Sequence, residues 1–126
     1  MVCPSDTIVY LNNICQYTLG DFTDSIAVDD CTPDSAIIMT QVHSIGAVFN
    51  GESIETIWLY AEDKYGNIDS CSFQLTISDS VKPLIVCNDT TIYLASNGQF
   101  IIDTSFIFTN AIDNCEVDSV WTKDSL

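Results

Sequence analysis

The stretch from Thr56 to Asp79 constrains this chain more than any other. In its second half Cys71, Phe73, Leu75 and Ile77 alternate with Ser72, Gln74, Thr76 and Ser78. Successive side chains of a strand point to opposite faces, so this period of two calls for a strand with one face in a core and one in water. Thr56 to Ala61 is a second apolar run ahead of it. Between the two lies Glu62 to Ile68, with Gly66-Asn67 able to take positive φ. The segment reads as a β-hairpin with a cysteine at the start of its return strand.

The rest of the chain repeats on a longer period. Cys3 and Cys87 are separated by the same number of residues as Cys31 and Cys115. Sliding the sequence by that offset, without a gap, also places Thr7 on Thr91, Ile8 on Ile92, Asn13 on Asn97 and Phe22 on Phe106. Ala27 falls on Ala111, Asp29 on Asp113, Asp34 on Asp118 and Ser35 on Ser119. The chain is therefore about one and a half copies of a unit of roughly 84 residues.

In the first copy strand signals fall at Thr7–Leu11, Cys15–Phe22 and Ala36–His43. A turn is expected at Asn12-Asn13, a loop over 28–34 and a turn-like segment over 48–52, before the hairpin. Pro83 cannot donate to a ladder, so the boundary is placed at the Asp79 to Pro83 stretch, giving regions 1–80 and 81–126. The second region is expected to form strands around Ile85–Cys87, Thr91–Leu94, Gln99–Asp103 and Val117–Lys123, and to stop before a counterpart of the hairpin. Short strands without sustained helical period point to an all-β chain, an antiparallel β-sandwich followed by half of another.

Composition narrows the function classes. At 126 residues and 47% hydrophobic the chain can bury a core. Three basic residues face 18 acidic ones, a formal charge of −15. That argues against nucleic acid and against anionic membrane surfaces, both of which are bound through Lys and Arg. It suits a cation such as Ca²⁺, or serves solubility through self-repulsion. No apolar run approaches the length needed to span a bilayer, so direct membrane insertion is not expected. Six cysteines without a CxxC pair, and one histidine, fit disulfides in an oxidising extracellular setting better than zinc. Met1-Val2-Cys3-Pro4 is not a signal peptide, so the chain is expected to be a segment of a longer secreted protein.

Several pieces, in order, resemble the hyalin repeat (HYR), an immunoglobulin-like module of extracellular and adhesive proteins. They are Cys3-Pro4, Asp29-Asp30-Cys31, Ala61-Glu62-Asp63 before Gly66-Asn67, Cys71-Ser72-Phe73, and the exit through Asp79 to Pro83. The run from Pro83 through Cys87 to Asp113-Asn114-Cys115 is similar to repeats of secreted surface proteins of Bacteroidetes. Val48-Phe49-Asn50-Gly51 stands where family members often carry a Phe-Pro-x-Gly turn. The resemblance implies an immunoglobulin-like antiparallel β-sandwich and a Cys3–Cys71 disulfide, which leaves Cys15 for Cys31. Cys87 and Cys115 would pair with each other or beyond Leu126. A second scheme stays open, because the second copy keeps Cys87 and Cys115 but has Gln99 opposite Cys15. That pattern suits Cys3–Cys31, Cys15–Cys71 and Cys87–Cys115.

Candidate site residues follow from the same layout. Sandwich topology would bring Asp29, Asp30 and Asp34 to the same end as Glu62, Asp63, Asn67 and Asp69. These oxygens could serve Ca²⁺, which takes six to eight of them, or form a solvated loop surface. No catalytic residue and no other cofactor is assigned, since nothing resembles a nucleophile elbow and His43 lies in an apolar strand. Trp58 and Trp121 are expected in the core, Trp121 aligning with Ile37. Exposed Tyr10, Tyr60 or Tyr93 could contact carbohydrate, and Asn88-Asp89-Thr90 has the form of a glycosylation sequon. The expected function is a non-enzymatic extracellular structural or adhesive module that contacts protein or glycan at the cell surface. The alternatives are a carbohydrate-binding accessory module of a secreted enzyme, and a filament subunit whose second repeat is completed by strand donation, a form of self-assembly.

Overall fold

The computed structural model describes residues 1–24, 27–102 and 104–121. The protein is all-β and divides into two compact units, Met1–Ser80 and Val81–Leu126. In the first unit β5 (Ser53–Glu62) and β6 (Ile68–Ser78) are the longest strands, paired antiparallel from Ser53 opposite Ile77 to Glu62 opposite Ile68. β3 (Ile38–Val42) pairs antiparallel with the other edge of β5, after a 3₁₀ turn at Asp34–Ala36. β1 (Thr7–Tyr10) joins the free edge of β6 in parallel. The four-stranded sheet thus runs β1-β6-β5-β3 and is mixed, a correction to the purely antiparallel expectation. The parallel start is fixed by Asp6, whose Oδ1 accepts from the Gln74 amide at 2.8 Å; the Leu11 amide closes the run on the Ser78 carbonyl at 3.0 Å.

A second sheet pairs β2 (Gln16–Thr18) with β4 (Val48–Asn50), Tyr17 opposite Phe49. The turn-like segment expected over 48–52 is therefore a strand. The reversal lies at Gly51, whose φ of 78° few other residues adopt, and Phe49 is drawn toward the core. Ile57, Leu59, Phe73, Leu75 and Ile77 form the buried face of the large sheet together with Leu11 and Leu19; Tyr17, Phe22, Ala47 and Phe49 pack against them. Phe22 meets Phe73 edge-on at 5.0 Å. Buried Gln41 of β3 reaches across to the 20–22 segment, its Nε2 donating to Gly20 O at 3.0 Å and its Oε1 accepting from Phe22 N at 2.8 Å. A buried amide with both ends bonded fixes where the chain leaves β2 without an unpaired polar cost.

The same turn occurs three times among the described residues. At Asn12–Gln16, Asp63–Asn67 and Ala95–Gln99 the first residue's amide bonds the carbonyl four residues on, and the fourth residue's amide returns to the first residue's carbonyl. The fourth residue has positive φ in each case: Cys15 at 59°, Gly66 at 85°, Gly98 at 73°. This is a type I turn followed by a left-handed residue, a common hairpin connection. The ungapped sequence slide put Gln99 opposite Cys15. By geometry the counterpart is Gly98, one residue earlier.

In the second unit β7 (Leu84–Cys87) pairs antiparallel with β8 (Phe108–Ile112), with an irregularity at Val86/Cys87 and a single helical turn α1 (Thr104–Ile107) before β8. The strands expected at Thr91–Leu94 and Gln99–Asp103 do not form over the described residues; Asp103 lies outside them. Residues 117–121 are also irregular, and the rest of the expected Val117–Lys123 strand lies outside the described residues. A strand needs a neighbour to bond, and isolated two-stranded sheets are marginal in water. No described residue after Ser80 is buried. The core of the chain belongs to the first unit.

Replacing Leu75, fully buried at the centre of β6, by Ala is expected to destabilise the first unit by about 2–5 kcal/mol, read as a lower urea midpoint with an unchanged slope. Residues 81–126 produced alone are expected to show no cooperative unfolding transition by circular dichroism.

Candidate functional site

One cavity of about 150 Å³ in the first unit is lined by Met1, Val28, Asp29, Asp63, Asn67 and Asp69, among others. Asp29 arrives from the loop before the 3₁₀ turn, Asp63 and Asn67 from the β5–β6 turn, and Asp69 from the start of β6. Of the seven oxygen-bearing residues singled out from the sequence, these four share the cavity wall. Asp30, Asp34 and Glu62 are exposed and do not line it.

Hydrogen bonds explain how each carboxylate is held. Asp63 Oδ1 accepts from the amides of Tyr65 and Asn67 at 2.8 Å each, and Oδ2 accepts from the Asn67 side chain at 2.7 Å. Asp29 Oδ2 accepts from the amides of Cys31 at 3.1 Å and Thr32 at 2.7 Å. Asp69 accepts from Ser70 N at 2.9 Å and from the Met1 amino group at 3.2 Å. These donors favour the charged form. The Asn67 side chain foremost holds the Asp63 carboxyl below its usual value, against some desolvation, with the turn amides adding to it. Thr32, then the Cys31 amide, does the same for Asp29, opposed by desolvation and by the Asp63 charge. For Asp69 the main cause is the Met1 amino group. The carboxylates thus order the loops, and the same oxygens are the candidate ligands for Ca²⁺.

The Cys3–Cys71 pair that the resemblance implies is present, and the remaining cysteines divide otherwise than expected. Cys3 is joined to Cys71, with Cα atoms 5.9 Å apart. Cys15 is also disulfide-bonded, but Cys31 has a free thiol, so neither the Cys15–Cys31 pair nor the Cys3–Cys31 alternative forms. Cys15 packs against the core from its tight turn whereas Cys31 sits exposed beside the Asp29-capped amides, which separates their environments. Cys87 likewise keeps a free thiol, and Cys115 is disulfide-bonded.

The aromatic residues depart furthest from expectation. Trp58, expected in the core, lies on the solvent side of β5 and is 42% exposed. Tyr60 beside it is 36% exposed, and the two rings are near-parallel, 21° apart in plane, with centroids 6.3 Å apart. Trp121 is 77% exposed in the second unit, not a core residue. Tyr10 and Tyr93 are exposed as well. The run Ile57-Trp58-Leu59-Tyr60-Ala61 is apolar throughout, so its pattern does not say which parity faces inward. The register does. Ile57 lies opposite Phe73 and Leu59 opposite Cys71, which turns Trp58 and Tyr60 out. His43 faces Glu55, Nε2 to Oε2 at 3.7 Å, and meets Phe49 edge-on at 5.4 Å, contacts that give this histidine a packing role.

Comparison with family models, with curated proteins and with solved structures finds no match to this chain.

Asp29, Asp63, Asp69 and, through Thr23, Asp21 all have carboxyls held below the unfolded value near 3.9. A depressed folded pKa adds stability that is present above the unfolded value and lost as pH falls through the folded one. The melting temperature is therefore expected to hold from pH 7 to about 5 and to fall below about pH 4. Asp63→Asn should lower it at pH 7 and flatten the acid limb. Melting curves across that range, with and without millimolar Ca²⁺, check both points. A Ca²⁺-dependent rise that Asp63→Asn abolishes would identify a bound ion, and no rise would leave these carboxylates as loop fixtures.

Proposed function

We propose that this chain is a non-enzymatic extracellular structural and adhesive module. In this reading the first unit is an immunoglobulin-like sandwich of the hyalin-repeat kind, and the second unit is the first part of another. The observation that carries it is the Cys3–Cys71 disulfide, which fastens the chain's entry to the return strand of the central hairpin. Two disulfides fit an oxidising compartment. Among the described residues, no helix is long and apolar enough to cross a membrane.

Strand adjacency supports the sandwich. β3, β5 and β6 lie side by side as strands C, F and G do in that fold, and β2 lies by β4 as B lies by E. Local geometry supports the repeat. Asp29 caps the Cys31 amide at 3.1 Å, and Asp113 caps the Cys115 amide at 3.1 Å. The turns at Asn12–Gln16 and Ala95–Gln99 share one hydrogen-bond pattern. A module of this kind works by holding its shape between neighbours and presenting surfaces to protein or glycan. The lack of any buried described residue after Ser80 favours a related role in assembly, with strands from elsewhere completing the second unit.

The disulfide closes a separation of 68 residues, which on chain-entropy grounds stabilises by about 4 kcal/mol. The double variant Cys3→Ser/Cys71→Ser is expected to melt roughly 15–30 °C lower. Unchanged melting, or reduced Cys3 and Cys71 in protein exported to an oxidising compartment, would remove the reading.

A further inference from the structure

We propose that the solvent face of the four-stranded sheet in the first unit binds a neutral polysaccharide, with Trp58 and Tyr60 as its platform. The inference rests on the reading of the chain as an extracellular interaction module and names the partner class for one surface of it. Trp58 and Tyr60 stand two apart on β5, the second strand in from the β3 edge, so both rings sit inside the face and not on its rim. The rings are near-parallel and exposed, although large aromatics in a strand usually pack. An aromatic face offers dispersion and quadrupole attraction to the C–H face of a sugar ring, with no need for charge.

The neighbours supply the other half of sugar recognition. In register across the sheet, Tyr60 is flanked by Thr40 and Ser70, and Trp58 by Val42 and Ser72. Short hydroxyls beside exposed rings are the small number of placed polar groups that orient a hydroxylated ligand. Charge selects among occupants. The chain carries −15, yet Glu62 at one end of β5 is the sole charged residue among the strand positions of this face. The overall field repels anionic glycans and nucleic acid and leaves a neutral polymer unopposed.

Native affinity electrophoresis of the intact chain in gels holding hydroxyethyl cellulose, xyloglucan or galactomannan tests this, with intrinsic tryptophan fluorescence as a second readout. The expected result is retardation by at least one of the three, reduced tenfold or more in apparent affinity by Trp58→Ala and by Tyr60→Ala. Trp121→Ala, in the other unit, should retain it. Melting curves of both face variants verify that they fold, and Thr40→Val serves as a milder probe that keeps the rings. Retardation that both face variants preserve would overturn the proposal. So would the absence of retardation in all three gels. Concentration-dependent dimerisation abolished by Trp58→Ala would assign the face to self-association and overturn it too. None of these outcomes touches the Cys3–Cys71 melting experiment, so failure here leaves the module reading to its own test.

Discussion

The β5–β6 pairing is the interaction on which the rest of the first unit depends. It is the longest ladder in the chain, and it places Ile57 beside Phe73 and Leu59 beside Cys71 on one face. Burying that face is the main favourable term available to a chain of this size, because each fully buried large aliphatic adds about 1.5–3 kcal/mol. Every other element of the unit docks onto this pair. β3 and β1 extend its edges, β2 and β4 cover its apolar side, and the Cys3 disulfide fastens the entry to β6.

A shared register also explains why the two candidate surfaces of the unit differ so much. At the turn end, carboxylates from separate loops meet because Asp63 and Asn67 close the hairpin while Asp29 caps the neighbouring loop. Each is held by amide donors, so the negative charge is bound into loop geometry. On the outer face of the sheet the parity that buries Ile57, Leu59 and Ala61 leaves Trp58 and Tyr60 in solvent. One surface is charged and ordered by its own hydrogen bonds. The other carries one charge, at Glu62, and exposes Trp58 and Tyr60 among aliphatic side chains such as Ile38 and Ile54.

The second unit shows what happens without such a pair. It repeats some local devices of the first unit: the aspartate-capped cysteine amide at Asp113, after β8, and the left-handed turn residue at Gly98, between β7 and β8. Local sequence is enough for these, since a turn or a cap involves a few adjacent residues. It does not supply a core, and among the described residues the strands read from Thr91–Leu94 and from Gln99 onward do not form.

The division between sequence and tertiary structure follows from range. Alternation from Cys71 to Ser78, the Gly66 turn, the Asn12 turn and the all-β class were legible because strand parity and turn chemistry are properties of short windows. Grouping of the acidic loops was legible in part. Asp29, Asp63, Asn67 and Asp69 share a cavity, while Asp30, Asp34 and Glu62 do not line it, a choice that depends on side-chain direction in the loop and, for Glu62, on strand parity. The free thiol of Cys31, the parallel addition of β1 and the strand at Val48–Asn50 were not legible. Each depends on a partner distant in sequence. Trp58 is the clearest case. Its own segment is apolar at every position, so only pairing with β6 could decide that the tryptophan faces water.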